Sequence, residues 1–95
     1  MNFVYILTNK DNTIMYIGVT NDLKRRLLEH MDEKIDGFTK IYHVHKLVYF
    51  EEYSHINDAI AREKQLKGWI RVKKNTLVET RNPNWDDWGE EFLRK

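Results

Sequence analysis

Two short runs of β-forming residues, joined by a turn, open the chain and limit the folds available to it. The runs span 2–8 and 13–20, and the turn-forming residues Asn9-Lys10-Asp11-Asn12 lie between them. We therefore predict a β-hairpin over this part of the chain. In a hairpin Tyr5 and Tyr16 lie on neighbouring strands, where both phenols can face the same side. Aromatic residues paired across strands are more often core residues than site residues. A role in the core and a role in a functional site therefore both stay open for the two tyrosines.

The second run leads directly into a predicted helix over 22–31. Its apolar residues recur every fourth position, as in a helix with one buried face: Leu23, Leu27 and Met31. Either Thr20 or Asn21 is expected to cap the first amides of this helix. Arg26 and His30 share a face and border the apolar stripe, so we expect both at the rim of the core.

Further along, the pattern predicts one more strand and two more helices. In chain order it gives a loop with room for a turn of helix over 32–45, a strand over 46–53, a helix over 55–67 and a helix over 69–80. Ser54 is a suitable cap for the first of these helices, and Gly68 stands at its stop position. The order β-β-α-β-α-α predicts an α+β fold, in which helices flank a small three-stranded antiparallel sheet.

A chain of 95 residues is long enough for one modest core. We assign residues 1–83 to one domain and residues 84–95 to a short tail that packs on it. The tail has an aromatic face suited to such packing: Trp85, Trp88 and Phe92. The two tryptophans can instead dock a partner protein, which stays open as an alternative.

Composition excludes several classes of protein. Hydrophobic residues make up 41% of the chain and aromatic residues 13%, which is typical of a folded domain rather than a disordered segment. The absence of cysteine excludes disulfides and thiolate metal sites. No apolar run is long enough to span a membrane, and the N-terminus lacks the layout of a signal peptide, so we expect a cytoplasmic protein.

Charge is unevenly placed, although the net charge is only +1. The segment 62–74 has a charge of +5, since Glu63 is its single acidic residue and six are basic: Arg62, Lys64, Lys67, Arg71, Lys73 and Lys74. The chain after Trp85 is acidic. This distribution favours a polyanion-binding face, although a solvated lysine-rich helix explains it equally well.

Glu63 falls within the apolar stripe of the helix predicted over 55–67. Because an isolated carboxylate turned toward the interior is costly, it must be paired, protonated or bound to a ligand. A structural explanation is an ion pair with Lys67, which lies four residues on along the same face; a functional explanation is metal binding. His43 and His45 can point the same way from an extended segment, but they lack a recognisable zinc spacing.

The sequence Phe3-Val4-Tyr5, followed by Tyr16-Ile17-Gly18, Arg26 and Glu63, resembles the GIY-YIG nuclease domain. It is most similar to the small stand-alone bacterial branch called UPF0213, and the resemblance extends to Asn82-Pro83. It implies a metal-dependent endonuclease that hydrolyses phosphodiester bonds in DNA, with Mg²⁺ or Mn²⁺ as cofactor. It also implies structure-directed cutting linked to DNA repair or recombination.

The resemblance assigns catalytic roles to residues of the hairpin and of the helix after it. It makes Tyr16 the general base for the attacking water, and Tyr5 the group that places that water or the phosphate. It assigns Arg26 to the charge on the phosphoryl oxygens, and His30 to proton transfer or to the same phosphate. Because the pKa of a phenol is about 10, Tyr16 needs a metal or a cation such as Arg26 to lower its pKa.

By the same resemblance Glu63 is the single protein ligand of one divalent metal ion, and Asn75 occupies the late polar position of the family. DNA binding is assigned to basic residues: Arg25, Lys67, Lys73 and Lys74. We expect binding directed at the backbone or shape of DNA rather than at base sequence, with room for a protein partner that supplies specificity.

Two positions depart from the pattern of the family. Phe3 stands in place of the first glycine, which we interpret as a change of packing. Val19 stands where many relatives carry lysine, and this removes a cation that would assist the base. His30 is a candidate substitute, since it can carry a proton near neutral pH. The missing lysine favours an alternative, in which the chain is a non-catalytic nucleic-acid-binding or protein-interaction module with the same fold. Retention of the full set of candidate residues argues against that alternative: Tyr5, Tyr16, Arg26, His30 and Glu63.

Overall fold

The computed structural model describes residues 1–32 and 37–94. Its elements are, in order, β1 (Asn2–Thr8), β2 (Met15–Thr20), α1 (Leu23–Met31), α2 (Gly37–Tyr42), β3 (Lys46–Tyr53), α3 (Ile56–Lys67), α4 (Arg71–Glu79) and α5 (Gly89–Leu93). The fold is α+β, as predicted, and its antiparallel sheet has β1 between β2 and β3. The short helices α2 and α5 are additional to the predicted order. Of the loop predicted over 32–45, residues 33–36 lie outside the described residues.

The central strand β1 is covered on both faces. Val4 and Ile6 pack in one cluster with residues of α3 and α4, while Tyr5 and Leu7 pack in a second cluster with residues of α1. Residues 4–8 have no exposed surface. A strand buried on both faces needs apolar residues at successive positions, which is why this run does not alternate with polar residues. In the part of the chain that is described, no helix is both long and apolar enough to cross a membrane.

The hairpin turn is held by the side chain of Asn9. Its amide oxygen accepts hydrogen bonds from the N–H groups of Thr13 (2.9 Å) and Ile14 (3.0 Å). Because the Asn9 side chain takes these two N–H groups, β2 begins at Met15 rather than at residue 13 as predicted. Asn12 completes the turn in the left-handed region, with a φ of 59°.

The caps predicted for two helices are wrong. Helix α1 is capped by Asp22, whose carboxylate accepts a backbone N–H of the first turn at 3.1 Å. Thr20 instead accepts the N–H of Asp22, and Asn21 is exposed. Helix α3 begins after His55, which is extended and makes no capping hydrogen bond through its side chain, so Ser54 lies one residue too early to cap it.

The tail packs on both faces of the sheet. The rings of Trp88 and Phe92 lie 6.1 Å and 5.7 Å from the ring of Phe50. The N–H of Trp88 also donates to the carbonyl of Leu47 at 2.8 Å. Trp85 packs against the opposite cluster, beside α3 and α4. Both tail tryptophans thus contact the domain.

Candidate active site

The close approach of Tyr5 to the neighbouring strand depends on Gly18. The two residues are opposite each other in the ladder between β1 and β2. A Cβ atom at residue 18 would overlap the Tyr5 hydroxyl and would lie 2.5 Å from Tyr5 Cζ, so a larger residue fits only if the ring moves. The glycine of Tyr16-Ile17-Gly18 therefore makes room for the Tyr5 phenol.

Tyr5 belongs to a buried chain of hydrogen bonds. Its hydroxyl lies 3.0 Å from His30 Nε2 on α1, and His30 Nδ1 lies 3.2 Å from Thr39 Oγ1 on α2. None of the three residues has exposed surface. The rim position predicted for His30 is therefore wrong, because Tyr5 and Thr39 enclose the imidazole from two sides.

Tyr16 lies beside this chain, on the same face of the sheet. It is diagonal to Tyr5, because it pairs with Leu7 in the ladder. Its ring centroid is 6.2 Å from that of Tyr5 and 5.3 Å from that of His30. The prediction that the two phenols face the same side is confirmed. Unlike Tyr5, Tyr16 is only half-buried, since β2 is an edge strand.

Arg26 completes the group, which we call the tyrosine cluster: Tyr5, Tyr16, Arg26 and His30. The Arg26 side chain is 31% exposed, and its Nε lies 3.2 Å from the carboxylate of Glu29. Burial raises the pKa of Tyr5 above its ordinary value, and the nearby Tyr16 raises it further, whereas the charge and hydrogen bonding of Arg26 oppose this rise. Tyr5 is therefore protonated at neutral pH.

Glu63 stands on α3, which packs on the other face of the sheet. Its side chain is only 16% exposed, in agreement with the predicted inward position, and its Oε2 lies 3.3 Å from Lys67 Nζ. The ion pair of the structural explanation is thus present. Lys67 also lines a pocket of about 220 Å³ together with Tyr16 and Lys74. This pocket connects the tyrosine cluster with α3 at the outer edge of β2.

Glu63 is the carboxylate that the resemblance assigns to the metal ion. Glu63 offers oxygen ligands, which Mg²⁺ prefers. Among the residues that the structure describes, no group of three or more His, Cys, Asp or Glu side chains could share an ion. Mg²⁺ commonly keeps several waters and binds one or two carboxylates together with substrate phosphates. Glu63 fits a site of that kind and does not fit an all-protein cage.

Asn75 takes part in a contact between α4 and the hairpin turn. Its Oδ1 accepts a hydrogen bond from Arg71 Nε at 2.8 Å. The Arg71 guanidinium also donates to the carbonyls of Asn12 (2.6 Å) and Thr13 (3.2 Å). Asn75 therefore positions the arginine that ties α4 to the turn, a contact of the scaffold rather than of the tyrosine cluster.

The four basic residues predicted to bind DNA differ in their surroundings. Lys67 and Lys74 line the pocket beside Tyr16. Lys73 Nζ lies 4.2 Å from the centre of the Trp69 ring, in a cation–π contact. Arg25 is exposed on α1. Of the four, Lys67 and Lys74 thus share a pocket with the phenol that the resemblance makes the base.

Sequence reasoning missed a network around Glu51. Its carboxylate accepts hydrogen bonds from Tyr49 (2.5 Å), from Tyr53 (2.7 Å) and, at both oxygens, from Arg62 (2.9 and 3.0 Å). Burial raises the pKa of Glu51, but the hydrogen bonds from Arg62 and the tyrosines outweigh it and hold that pKa below its ordinary value. Burial and the carboxylate raise the pKa of Tyr49 to about 12. The sequence did contain a signal for this network, because Tyr49, Glu51 and Tyr53 alternate along one strand and therefore share a face.

A second residue that the sequence did not reveal is Thr39, the partner of His30. It lies in a stretch where the sequence has no clear periodicity. A larger cavity, of about 830 Å³, lies near this stretch and is bordered by His43, His45 and Lys46, among others. Its lining residues include none of the tyrosine cluster and not Glu63. We therefore locate the candidate site by its side-chain chemistry rather than by cavity size.

A protein-family model matches most of the chain. The model of the GIY-YIG catalytic domain matches residues 1–76, which include the tyrosine cluster and Glu63. The chain belongs to the GIY-YIG family. Proteins of this family are nucleases and generally use a divalent metal ion.

Relatives within the GIY-YIG family carry the UPF0213 name. The chain is 33% identical to UPF0213 protein CPE1444 of Clostridium perfringens, over 97% of this chain and 98% of the relative. It is 35% identical to UPF0213 protein YazA of Bacillus subtilis, over 82% of this chain and 78% of the relative. The solution NMR structure of UPF0213 protein BH0048 from Bacillus halodurans is similar, with a TM-score of 0.58 and 31% identity over 92% of this chain and 93% of that one.

Proposed function

We propose that this GIY-YIG protein is a divalent-metal-dependent endonuclease that hydrolyses phosphodiester bonds in DNA. The observation that carries the proposal is the position of Tyr16. Its half-buried phenol lies against the buried Tyr5–His30 pair on one side and lines a pocket with Lys67 and Lys74 on the other. A base for water and cations for a phosphate therefore meet at one edge of the sheet.

Tyr16 is the group we assign to deprotonating the attacking water. A phenol with a pKa of about 10 is a weak base at neutral pH, so it needs positive charge nearby. Lys67 and Lys74 in the pocket, with Arg26 in the tyrosine cluster, supply that charge. A divalent ion held by Glu63 would supply Lewis-acid stabilisation of the phosphoryl and leaving oxygens.

Tyr5 and His30 are assigned to positioning. Tyr5 keeps its proton because burial raises its pKa, so its hydroxyl can act as a hydrogen-bond donor. His30 is fully buried between Tyr5 and Thr39, where it can orient Tyr5 and support the Tyr16 ring. Arg26 is partly exposed, so its guanidinium is assigned to a phosphoryl oxygen.

The substrate is recognised through its backbone and shape in this proposal. Lysines and arginines around the site suit phosphate contacts, which carry no base information. We propose structure-directed cutting in DNA repair or recombination, with a partner protein as a further source of specificity. The alternative of a non-catalytic binding module is favoured by Val19, since this aliphatic residue follows Gly18 where a cation would assist the base.

Cleavage of a DNA panel tests the proposal. Labelled linear, flapped and branched DNAs are incubated with Mg²⁺ or Mn²⁺ and wild-type protein, Tyr16→Phe or Arg26→Ala. We expect the wild type to cut and both variants to lose activity. Tyr42→Phe and Arg94→Ala change the same residue types away from the cluster and should cut as the wild type does. Equal rates for wild type and Tyr16→Phe would contradict the assignment of the base.

A wild type that binds the panel but cuts none of it, although circular dichroism shows it folded, would favour the non-catalytic alternative. If the protein neither binds nor cuts DNA, the nuclease proposal is wrong. A preference among the substrates would show whether cutting is structure-directed.

A further inference from the structure

Lys67 contributes both to an ion pair and to the lining of a pocket. Its ammonium group pairs with the Glu63 carboxylate at 3.3 Å, and its side chain lines the pocket beside Tyr16. The Lys67 side chain is 54% exposed, whereas that of Glu63 is 16% exposed. The carboxylate is thus held largely inside the protein, and its partner is a flexible side chain that can leave.

The ion pair between Lys67 and Glu63 is incompatible with a divalent ion bound to the same carboxylate. A divalent ion at Glu63 would take the carboxylate oxygens and repel the ammonium group 3.3 Å away. Lys67 would then have to give up its partner. We propose that Lys67 competes with the divalent ion for Glu63 and, once displaced, binds a substrate phosphate in the pocket beside Tyr16. This inference rests on the metal site of the proposed function.

The pocket is suited to receive an anion together with the released lysine. Its described lining consists of Met15, Tyr16, Ile17, Lys67 and Lys74, and thus contains two cations and no carboxylate. A phosphate oxygen placed there would meet both ammonium groups. Val19 leaves β2 without a lysine after Gly18, and Lys67 brings a cation to the same phenol from α3.

The competition makes metal binding and DNA binding depend on each other. Metal binding releases Lys67 for the phosphate, and DNA that holds Lys67 leaves Glu63 open for the metal. By thermodynamic linkage each ligand raises the affinity of the other by the same factor. A lysine that only contacts DNA would leave metal affinity unchanged in the absence of DNA.

The test measures Mn²⁺ affinity without DNA, from the electron paramagnetic resonance signal of free Mn²⁺. Lys67→Met should bind Mn²⁺ about two- to fivefold more tightly than the wild type, the range expected for removal of one partly exposed ion pair. Lys67→Arg keeps the ion pair and should match the wild type. Lys64→Met removes the same charge from an exposed position on α3 and controls for the general effect of charge. Glu63→Gln removes the proposed metal ligand and gives the Mn²⁺ affinity that remains without it.

Equal Mn²⁺ affinity for Lys67→Met and Lys64→Met would overturn the inference, while loss of binding in Glu63→Gln would leave the proposed metal site standing. Mn²⁺ binding that Glu63→Gln does not weaken would overturn both. If Lys67 competes with Mn²⁺ for Glu63 but the protein cuts no DNA, the proposed catalysis is wrong and this inference stands.

A second measurement tests the coupling through DNA affinity. Fluorescence anisotropy of a labelled duplex is recorded with and without Mn²⁺ in the Tyr16→Phe background, which keeps the DNA uncut under the proposed mechanism. Mn²⁺ should tighten DNA binding, and the added Lys67→Met change should reduce this gain to the part that comes from direct contact between the ion and the phosphate. An equal gain in both proteins would show that Lys67 does not couple the two ligands.

Discussion

Glu51 on β3 and Glu63 on α3 are both largely buried carboxylates, yet their surroundings differ. Glu51 is bound by Arg62 at both oxygens and by two tyrosine hydroxyls. Glu63 has the ammonium group of Lys67, which is half-exposed. Burial alone therefore does not distinguish the proposed metal ligand Glu63 from the structural carboxylate Glu51. A carboxylate whose oxygens are held by several fixed donors stabilises the fold, whereas one held by a single mobile cation can exchange it for a ligand.

The largest effect is expected on cleavage by Glu63→Gln. Loss of the charged ligand should lower the cleavage rate about 10²- to 10³-fold, the scale of removing one group that stabilises transition-state charge. Rates are measured on the best substrate of the panel at saturating Mg²⁺. Glu90→Gln, which breaks the exposed pair between Glu90 and Arg94, is the matched control and should leave the rate unchanged. An active Glu63→Gln protein would break the contrast between the two carboxylates.

Glu51→Gln should act on stability rather than on catalysis. The change leaves Arg62 and two tyrosine hydroxyls without their charged acceptor, and we expect a loss of about 1–3 kcal/mol in the free energy of unfolding. Urea denaturation measures it, with wild type and Glu63→Gln side by side. Without urea, where Glu51→Gln stays folded, its cleavage rate should equal that of the wild type.

The stabilising effect of Glu51 should also depend on pH. Its pKa in the folded protein lies below the ordinary value of 4.5, so its charge stabilises the fold above that value and the contribution is lost as pH falls through the folded pKa. The difference in urea midpoint between wild type and Glu51→Gln should therefore be constant near neutral pH and shrink below pH 4.5. A difference that stays constant down to acid pH would show that packing, not charge, explains it.

The smallest effect is expected from Lys67→Met on stability. A partly exposed i,i+4 ion pair contributes about 0.3–0.5 kcal/mol, so the thermal midpoint should change little. Arg62→Met, which removes the partner of Glu51, should lower the midpoint clearly more. Equal losses in the two variants would mean that the pairs are alike, contrary to the contrast drawn from their geometry.

The sequence predicted the elements whose pattern is local. Two runs of β-forming residues separated by turn residues identified the hairpin, and the four-residue spacing identified α1. The inward position of Glu63 followed from its place on the helix. The resemblance to the GIY-YIG domain supplied the grouping of Tyr5, Tyr16, Arg26 and His30, and the structure brings these four together.

The contacts that the sequence did not reveal join distant segments. The depth of His30 depends on Thr39, which lies in a stretch without clear periodicity. The Glu51 network depends on where α3 crosses β3, a tertiary relationship that side-chain spacing along one element cannot give. The capping of α1 by Asp22 was missed because three polar residues in a row are all able to cap a helix.

Gly18 links the identities of two positions that are thirteen residues apart in the sequence. The ring of residue 5 occupies the volume that a side chain at residue 18 would need, so the two positions share one fixed amount of space. A hairpin with a bulkier residue at 18 would need either a smaller residue at 5 or a displaced Tyr5 ring, and in both cases the contact between the phenol and His30 would be lost. A substitution at either position therefore changes which side chains fit at the other.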